Sequence, residues 1–114
     1  IPSVTEETLL SHALLEMTRQ GLGMTIVADH HHKLKGVFTD GDLRRTLDAG
    51  IDIHKTPISV VMTPKCKTIH SDALAFDAFQ IMKECKITSL VIVNSTNTIE
   101  GVLHLHDLLR AGVS

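Results

Sequence analysis

The apolar residues of the first fifty positions follow two different spacings. One set recurs at helical spacing and marks a face that packs on a core; its members are Leu9, Leu10, Ala13, Leu14 and Met17. Thr5 and the acidic residues after it predict where this helix starts. The largely apolar segment 24–28 and the segment 34–39 predict two strands joined by a polar loop. With a short strand at 3–4 and a helix opened by Asp40, the predicted order is strand, helix, strand, strand, helix.

The second half of the chain repeats the first at a constant offset of 65 residues. Without a gap, Gly36-Val37 aligns with Gly101-Val102 and Asp42 aligns with Asp107. The equivalent helix of the second half is expected to start at Ser71 or Asp72. A tandem duplication predicts a pseudo-two-fold pair with equivalent clefts, an arrangement that points to sensing rather than catalysis.

The size of the chain indicates that the two halves fold as one unit. Each half has about 50 residues, near the lower limit for independent folding. We expect repeat 1 at 1–50, a connector at 51–66 and repeat 2 at 67–114. Because the sequence begins with Ile1 rather than Met, we also expect it to be a piece of a longer protein.

Composition excludes several classes of partner. A net charge of −2 and three aromatic residues, all Phe, argue against a nucleic-acid partner. The apolar runs are too short for a membrane-spanning segment, so no membrane partner is expected. Cys66 and Cys85, without a CxxC motif, predict ordinary reduced thiols.

The segment 36–42, Gly-Val-Phe-Thr-Asp-Gly-Asp, carries the chemistry that a nucleotide requires. It takes a predicted strand into a helix N-terminus, where free N–H groups and the helix dipole favour phosphate. The Thr39 hydroxyl can donate to the same phosphate, and the Asp42 carboxylate can accept from both hydroxyls of a ribose. The alternative interpretation is that Thr39 or Asp40 is an N-cap and Asp42 belongs to an acidic first turn. Both interpretations stay open from these residues alone.

The duplication, the element order and the pattern Gly-Val-x-Thr-x-x-Asp resemble a pair of CBS domains, the regulatory unit also called a Bateman module. The resemblance covers nearly the whole chain. It implies an α/β fold of two pseudo-symmetric β-α-β-β-α repeats packed through their sheets, with adenosine-type nucleotides bound in the clefts between them. It also implies ligand-binding residues in the first cleft, with Asp42 on the ribose, Thr39 on the phosphate, and the base or sugar against Met24, Thr25 and Ile26.

The second cleft departs from this pattern at one position. His104 stands where the first repeat has Thr39, and a protonated imidazole can pair with phosphate although it does not replace a hydroxyl. Asp107 retains the ribose contact. The matching strand residues are Thr88 and Ser89.

Longer stretches are very similar to the C-terminal part of bacterial D-arabinose 5-phosphate isomerases. These stretches are 21–25 (Gly-Leu-Gly-Met-Thr), 38–45, 61–64 and 101–113, the last of which is the most specific. Such enzymes convert ribulose 5-phosphate to arabinose 5-phosphate, the entry to the sugar Kdo of lipopolysaccharide or capsule. The resemblance implies a sugar isomerase domain N-terminal to this chain and a cytoplasmic location. It assigns the chain itself a regulatory role without catalytic residues.

The ligand hypothesis follows from that pathway. Its activated end product, CMP-Kdo, combines a cytidine nucleotide with an anionic sugar, and feedback by CMP-Kdo is our first hypothesis; AMP or ATP is the alternative. No cofactor is required under either. Cationic residues that would help to hold the anion are Lys33, Lys35, Arg44, Arg45, Lys65 and Arg110.

Other functions are weighed against this hypothesis. His30-His31-His32 falls in a predicted loop and is interpreted as a solvated turn, and no metal site is expected. No nucleophile motif or phosphate-binding P-loop occurs. A scaffold that only assembles catalytic domains remains the alternative to sensing, and a homodimer or tetramer is expected under both.

Overall fold

The computed structural model describes residues 3–21 and 23–112 and has the repeated element order that the sequence predicts. The first half contains β1 (Val4–Thr5), α1 (Leu10–Gln20), β2 (Met24–Ala28), β3 (Leu34–Thr39) and α2 (Asp40–Asp48), followed by α3 (Ile58–Val61) in the connector. The second half contains β4 (Thr68–His70), α4 (Ala75–Cys85), β5 (Ser89–Val93), β6 (Ile99–His104) and α5 (Leu105–Arg110). Leu22 and Val113, which belong to the stretches quoted above, lie outside the described residues.

The sheets of the two halves are built alike, down to single hydrogen bonds. β2 pairs in parallel with β1 and antiparallel with β3, and β5 makes the same pairings with β4 and β6. Asp29 N donates to Lys33 O and Asn94 N donates to Thr98 O, both at 3.0 Å, so the hairpin loops close in the same way. The predicted duplication and the mixed α/β fold are confirmed.

Each half has a core of its own. The chain divides into two compact units, one up to Cys66 and one from Lys67 onward. In the first unit the helical stripe packs on the sheet, and the buried cluster comprises Leu10, Ala13, Met17, Val27, Phe38 and Ile58. In the second unit the corresponding cluster comprises Ile69, Ala78, Met82, Leu90 and Leu108. Within residues 3–21 and 23–112, no helix is long and apolar enough to cross a bilayer.

The predicted starts of the two long helices are wrong. Thr5 belongs to β1, and the residues after it form a turn in which Thr8 N donates to Thr5 O at 3.1 Å, so α1 begins only at Leu10. The first amides of α1 find acceptors in the connector, where Leu10 N donates to Thr56 O at 2.9 Å. No side-chain cap is therefore needed.

The second long helix starts late for a related reason. A turn follows β4 as one follows β1, because Ala73 N donates to His70 O at 2.9 Å. Helix α4 consequently begins at Ala75 instead of directly after Ser71 or Asp72, and its N-cap residue Leu74 makes no side-chain cap.

Candidate ligand site

The site predicted in repeat 1 lies where β3 ends and α2 begins. Thr39 is the N-cap of α2, and its Oγ1 accepts a hydrogen bond from Asp42 N at 3.2 Å. In return, Asp42 Oδ2 accepts from Thr39 N at 2.9 Å. This reciprocal pair is a capping box, which satisfies two amides at the helix start. The N-cap interpretation is therefore realised in the structure, and the nucleotide contact stays a prediction.

The Asp42 carboxylate is buried and surrounded by donors. Its side chain is 5% exposed. Oδ1 accepts from Arg45 Nη2 at 2.5 Å and from Thr63 Oγ1 at 3.0 Å. Oδ2 accepts from Thr39 N and, at 3.1 Å, from Thr39 Oγ1. A carboxylate offers about four lone-pair sites, so the chain's own donors already satisfy Asp42.

Sequence reasoning missed Thr63 as a member of this site. It lies 21 residues beyond Asp42 and reaches it from the connector. Its backbone is fixed to β3, because Thr63 N donates to Val37 O at 2.8 Å and Val37 N donates to Thr63 O at 3.0 Å. The residues around Thr63 carry no local pattern that indicates a contact with Asp42. The signal available in the sequence was that residues 61–64 belong to the stretches that carry the isomerase resemblance.

Strand alternation separates the predicted base-contacting residues. Met24 pairs with Thr39 across the sheet and Thr25 pairs with Phe38, and directly paired residues share a face. Met24 and Ile26 therefore lie on the face of Thr39, whereas Thr25 lies on the opposite face with Phe38. The buried Thr25 hydroxyl has no hydrogen-bond partner among the described residues. A contact from Thr25 to a ligand on the Thr39 face would have to come from its main chain.

The equivalent segment of repeat 2 is more exposed. His104 is the N-cap of α5, and its Nδ1 accepts a hydrogen bond from His106 N at 3.1 Å. The two imidazole rings stack with centroids 4.9 Å apart. Asp107 is 56% exposed and pairs with Arg110 at 3.3 Å.

Of the two residues predicted as strand residues of the second cleft, Ser89 begins β5 and Thr88 lies just before it, outside the strand. Ser89 pairs with His104 across the sheet. Its hydroxyl is buried and, like that of Thr25, has no hydrogen-bond partner within the described part of the chain. Thr88 O accepts from Leu105 N at 2.8 Å, which repeats the bond from Asp40 N to Gly23 O in the first half.

Arg45 is the predicted cation that the structure brings to the first site. Besides its contact with Asp42, its guanidinium lies over the first turn of α2. A methyl group built on Gly41 would be 3.6 Å from Arg45 Nη1 and 3.7 Å from Thr39 Oγ1. Arg110 makes the analogous contact with Asp107 in the second half.

Two titratable groups away from the helix start have shifted pKa values. The Lys33 amide, with further help from the His31 amide, lowers the pKa of Asp29, which closes the first hairpin loop. Burial raises the pKa of the Cys66 thiol, which keeps it protonated and weakly nucleophilic. Both Cys66 and Cys85 are free. In residues 3–21 and 23–112, no cluster of His, Cys, Asp or Glu side chains is arranged to hold a metal ion.

Comparison with known proteins places this chain and its fold in one family. The chain matches the CBS domain family over residues 1–49 and 58–114, and it belongs to that family as a tandem pair. It is 53% identical over 99% of its length to the arabinose 5-phosphate isomerase KdsD of Pseudomonas aeruginosa, and 45% identical over the same share to KdsD of Escherichia coli. It spans 35% and 34% of those proteins, about a third of their length.

A solved structure supports the fold independently of close sequence similarity. The CBS domain protein from Pyrobaculum aerophilum complexed with AMP superimposes with a TM-score of 0.82 at 20% identity. The match covers 95% of this chain and 84% of that one. The resemblance to a CBS pair and to the isomerases, predicted from sequence motifs, is therefore confirmed.

Proposed function

We propose that this CBS pair is the nucleotide-sensing part of a cytoplasmic arabinose 5-phosphate isomerase. One observation carries the proposal: the Thr39 hydroxyl and the Asp42 carboxylate meet at a helix N-terminus, in a chain 53% identical to such an enzyme. The relatives are about three times as long, and we assign the sugar isomerase domain to the part that this chain does not cover. Catalysis belongs to that domain, and the CBS pair supplies control.

The chemistry of the helix start suits a nucleotide. The N-terminus of α2 favours an anion, and the Thr39 hydroxyl can donate to a phosphate oxygen when it turns away from Asp42. The Asp42 carboxylate can accept from the two hydroxyls of a ribose. Met24 and Ile26 are apolar and lie on the face of Thr39, and both are buried; we propose that they line the wall on which the base or sugar packs. In repeat 2, Asp107 and the strand residues Thr88 and Ser89 retain part of this set, with His104 as the anion partner when protonated.

The ligand that we favour is CMP-Kdo. The resemblance to arabinose 5-phosphate isomerases implies a place at the entry to Kdo synthesis, and a pathway is commonly controlled by its activated end product. An adenine nucleotide, AMP or ATP, is the second candidate, supported by the P. aerophilum protein that was solved with AMP. Control of the enzyme further requires that the ligand binds one state of the enzyme more tightly than another.

A thermal-shift panel with CMP-Kdo, CMP, AMP, ADP and ATP tests the proposal. A ligand at 100 times its Kd adds about 2.7 kcal/mol of stability, and each kcal/mol raises the Tm of a domain this size by about 4–8 °C. We expect the largest shift with CMP-Kdo and confirmation by calorimetry. A Tm shift confined to adenine nucleotides would instead indicate energy sensing. No Tm shift with any of the five ligands would contradict sensing.

Thr39→Ala and Thr39→Ser provide a matched pair for the phosphate contact. The alanine variant lacks the hydroxyl, and we expect its affinity for the best ligand to fall about tenfold, as for loss of one charge-assisted hydrogen bond. The serine variant retains the hydroxyl and should bind as the unchanged chain does. Because Thr39→Ala also loses the N-cap, at a cost of about 0.5–2 kcal/mol, affinity should be measured calorimetrically, well below the unfolding temperature. Equal affinities of the two variants would contradict the phosphate role.

A second candidate function is a scaffold that assembles copies of the parent enzyme. Exposed apolar side chains favour it, among them Leu74 and Phe76 at the start of α4. Surfaces of this kind often mark protein interfaces, and we expect a homodimer or tetramer. Sedimentation measurements on the chain alone would detect self-association, and a silent ligand panel together with stable association would favour the scaffold.

A further inference from the structure

Arg45 donates to the Asp42 carboxylate, which is the acceptor that the proposed ligand needs, and it approaches that carboxylate from the solvent side. The Arg45 side chain is 73% exposed, whereas the Asp42 carboxylate that it contacts is 5% exposed. The other donors to Asp42 are a backbone amide in a capping box and two hydroxyls of half-buried threonines, Thr39 and Thr63. Arg45 is therefore the donor that can leave with the least disturbance of the fold.

The same guanidinium also stands where an anion of the ligand would arrive. It lies over Gly41 in the first turn of α2, beside the Thr39 hydroxyl that we assign to phosphate. Guanidinium groups pair strongly with phosphate and carboxylate groups. With a short movement, the Arg45 side chain would leave Asp42 and pair with an anion bound at the start of α2.

We propose that Arg45 blocks Asp42 in this site and leaves it only for a ligand that carries both a vicinal diol and an adjacent anionic group. We call this role of Arg45 the lock. The diol takes the place of Arg45 on Asp42, and the anion receives the displaced guanidinium. A neutral diol has to remove Arg45 without offering it a new partner, and it is therefore rejected. The inference rests on the proposed function, because it assumes that Asp42 accepts the diol, and it assigns the selection of nucleotides over nucleosides to Arg45.

Calorimetry with paired ligands tests the lock. The ligand pairs are AMP with adenosine and CMP with cytidine, and the chains are the unchanged protein, Arg45→Met and Arg19→Met. Arg19 is the matched control, since it is equally exposed, pairs with a carboxylate three residues away on α1, and its loss changes the net charge equally. Removal of Arg45 should strengthen nucleoside binding by about tenfold, because the diol no longer has to displace one charge-assisted contact. Nucleotide binding should change little, because the variant loses the contact with the anion together with the cost of freeing Asp42. The affinity ratio of nucleotide to nucleoside should thus fall by about tenfold in Arg45→Met and stay unchanged in Arg19→Met.

Each outcome decides one of the two claims. If Arg45→Met keeps the affinity ratio of the unchanged chain, or weakens nucleotide and nucleoside equally, the lock is wrong while the proposed function stands. If the unchanged chain binds no nucleotide but Arg45→Met binds nucleosides, Arg45 merely blocks the diol site, and both its selection of nucleotides and nucleotide sensing are wrong. If neither chain binds any ligand, both claims are overturned, because removing a lock must expose a site.

Discussion

Replacing Asp42 with alanine is expected to lower the free energy of unfolding by about 3 kcal/mol, whereas the same change at Asp107 should cost less than about 1 kcal/mol. The two residues are equivalent by the repeat and differ in their surroundings. Asp42 is buried and accepts from Thr39, Thr63 and Arg45, whereas Asp107 is exposed and pairs with Arg110. Removing Asp42 leaves half-buried donors of Thr39 and Thr63 without an acceptor and breaks the capping box.

Urea unfolding followed by circular dichroism measures the difference directly. The Asp42→Ala midpoint should fall with little change in the dependence on urea, which would identify a loss of stability in an otherwise similar fold. In thermal unfolding the same variant should lose more than about ten degrees. Similar losses in Asp42→Ala and Asp107→Ala would show that the buried network contributes nothing beyond an exposed ion pair.

This structural role changes how the ribose contact can be tested. Loss of ligand binding in Asp42→Ala would be ambiguous, because the site itself depends on Asp42. Asp42→Asn is the better variant, since it keeps the shape and one acceptor oxygen for the amide of Thr39. It removes the charge that Arg45 and a ribose would share. Binding should be compared only after both chains have been shown to be folded at the temperature of the measurement.

The parts of the fold that the sequence predicted are those encoded locally or by the repeat. The strands were predicted at 24–28 and 34–39, and the structure places β2 and β3 at the same residues. The segment 24–28 was visible as a largely apolar run because β2 is buried along its whole length, whereas β3 is buried only at its centre. The second half followed from the 65-residue offset, since the same pattern folds into the same elements. The helix start at Asp40 was likewise encoded locally, through the capping residues Thr39 and Asp42.

The parts that could not be predicted depend on contacts across the chain. The amides at the start of α1 are satisfied by carbonyl groups of the connector, which no pattern around Thr5 reveals. Thr63 reaches Asp42 across 21 residues, so the buried network of the site was also invisible. The motif at Asp42 and Asp107 is shared, yet one carboxylate is buried and the other exposed. What differs is the tertiary environment, which a motif does not contain.

At Gly36, the neighbouring residues of the connector leave no room for a side chain. A Cβ at Gly36 would lie 2.6 Å from Thr63 O and 3.1 Å from Met62 Sδ. The nearer atom is backbone, and it accepts the hydrogen bond from Val37 N that fixes the connector to β3. Gly36→Ala should therefore push the connector away and cost about 2–4 kcal/mol, as the sum of overpacking and a lost backbone hydrogen bond.

The equivalent glycine of the second half provides the control. A Cβ at Gly101 would meet only Ile92 Cδ1, at an ordinary 3.6 Å, so Gly101→Ala should cost less than about 1 kcal/mol. Equal costs would mean that the close approach of Thr63 to Gly36 does not constrain the connector.

A double-mutant cycle tests whether the clash at Gly36 also disturbs the hydrogen bonds of Asp42. Thr63→Val alone should cost about 1 kcal/mol or more by removing the hydroxyl from Asp42. In the Gly36→Ala background that cost should vanish, because the displaced connector has already withdrawn the hydroxyl; additive costs would show that the connector and the Asp42 network are independent.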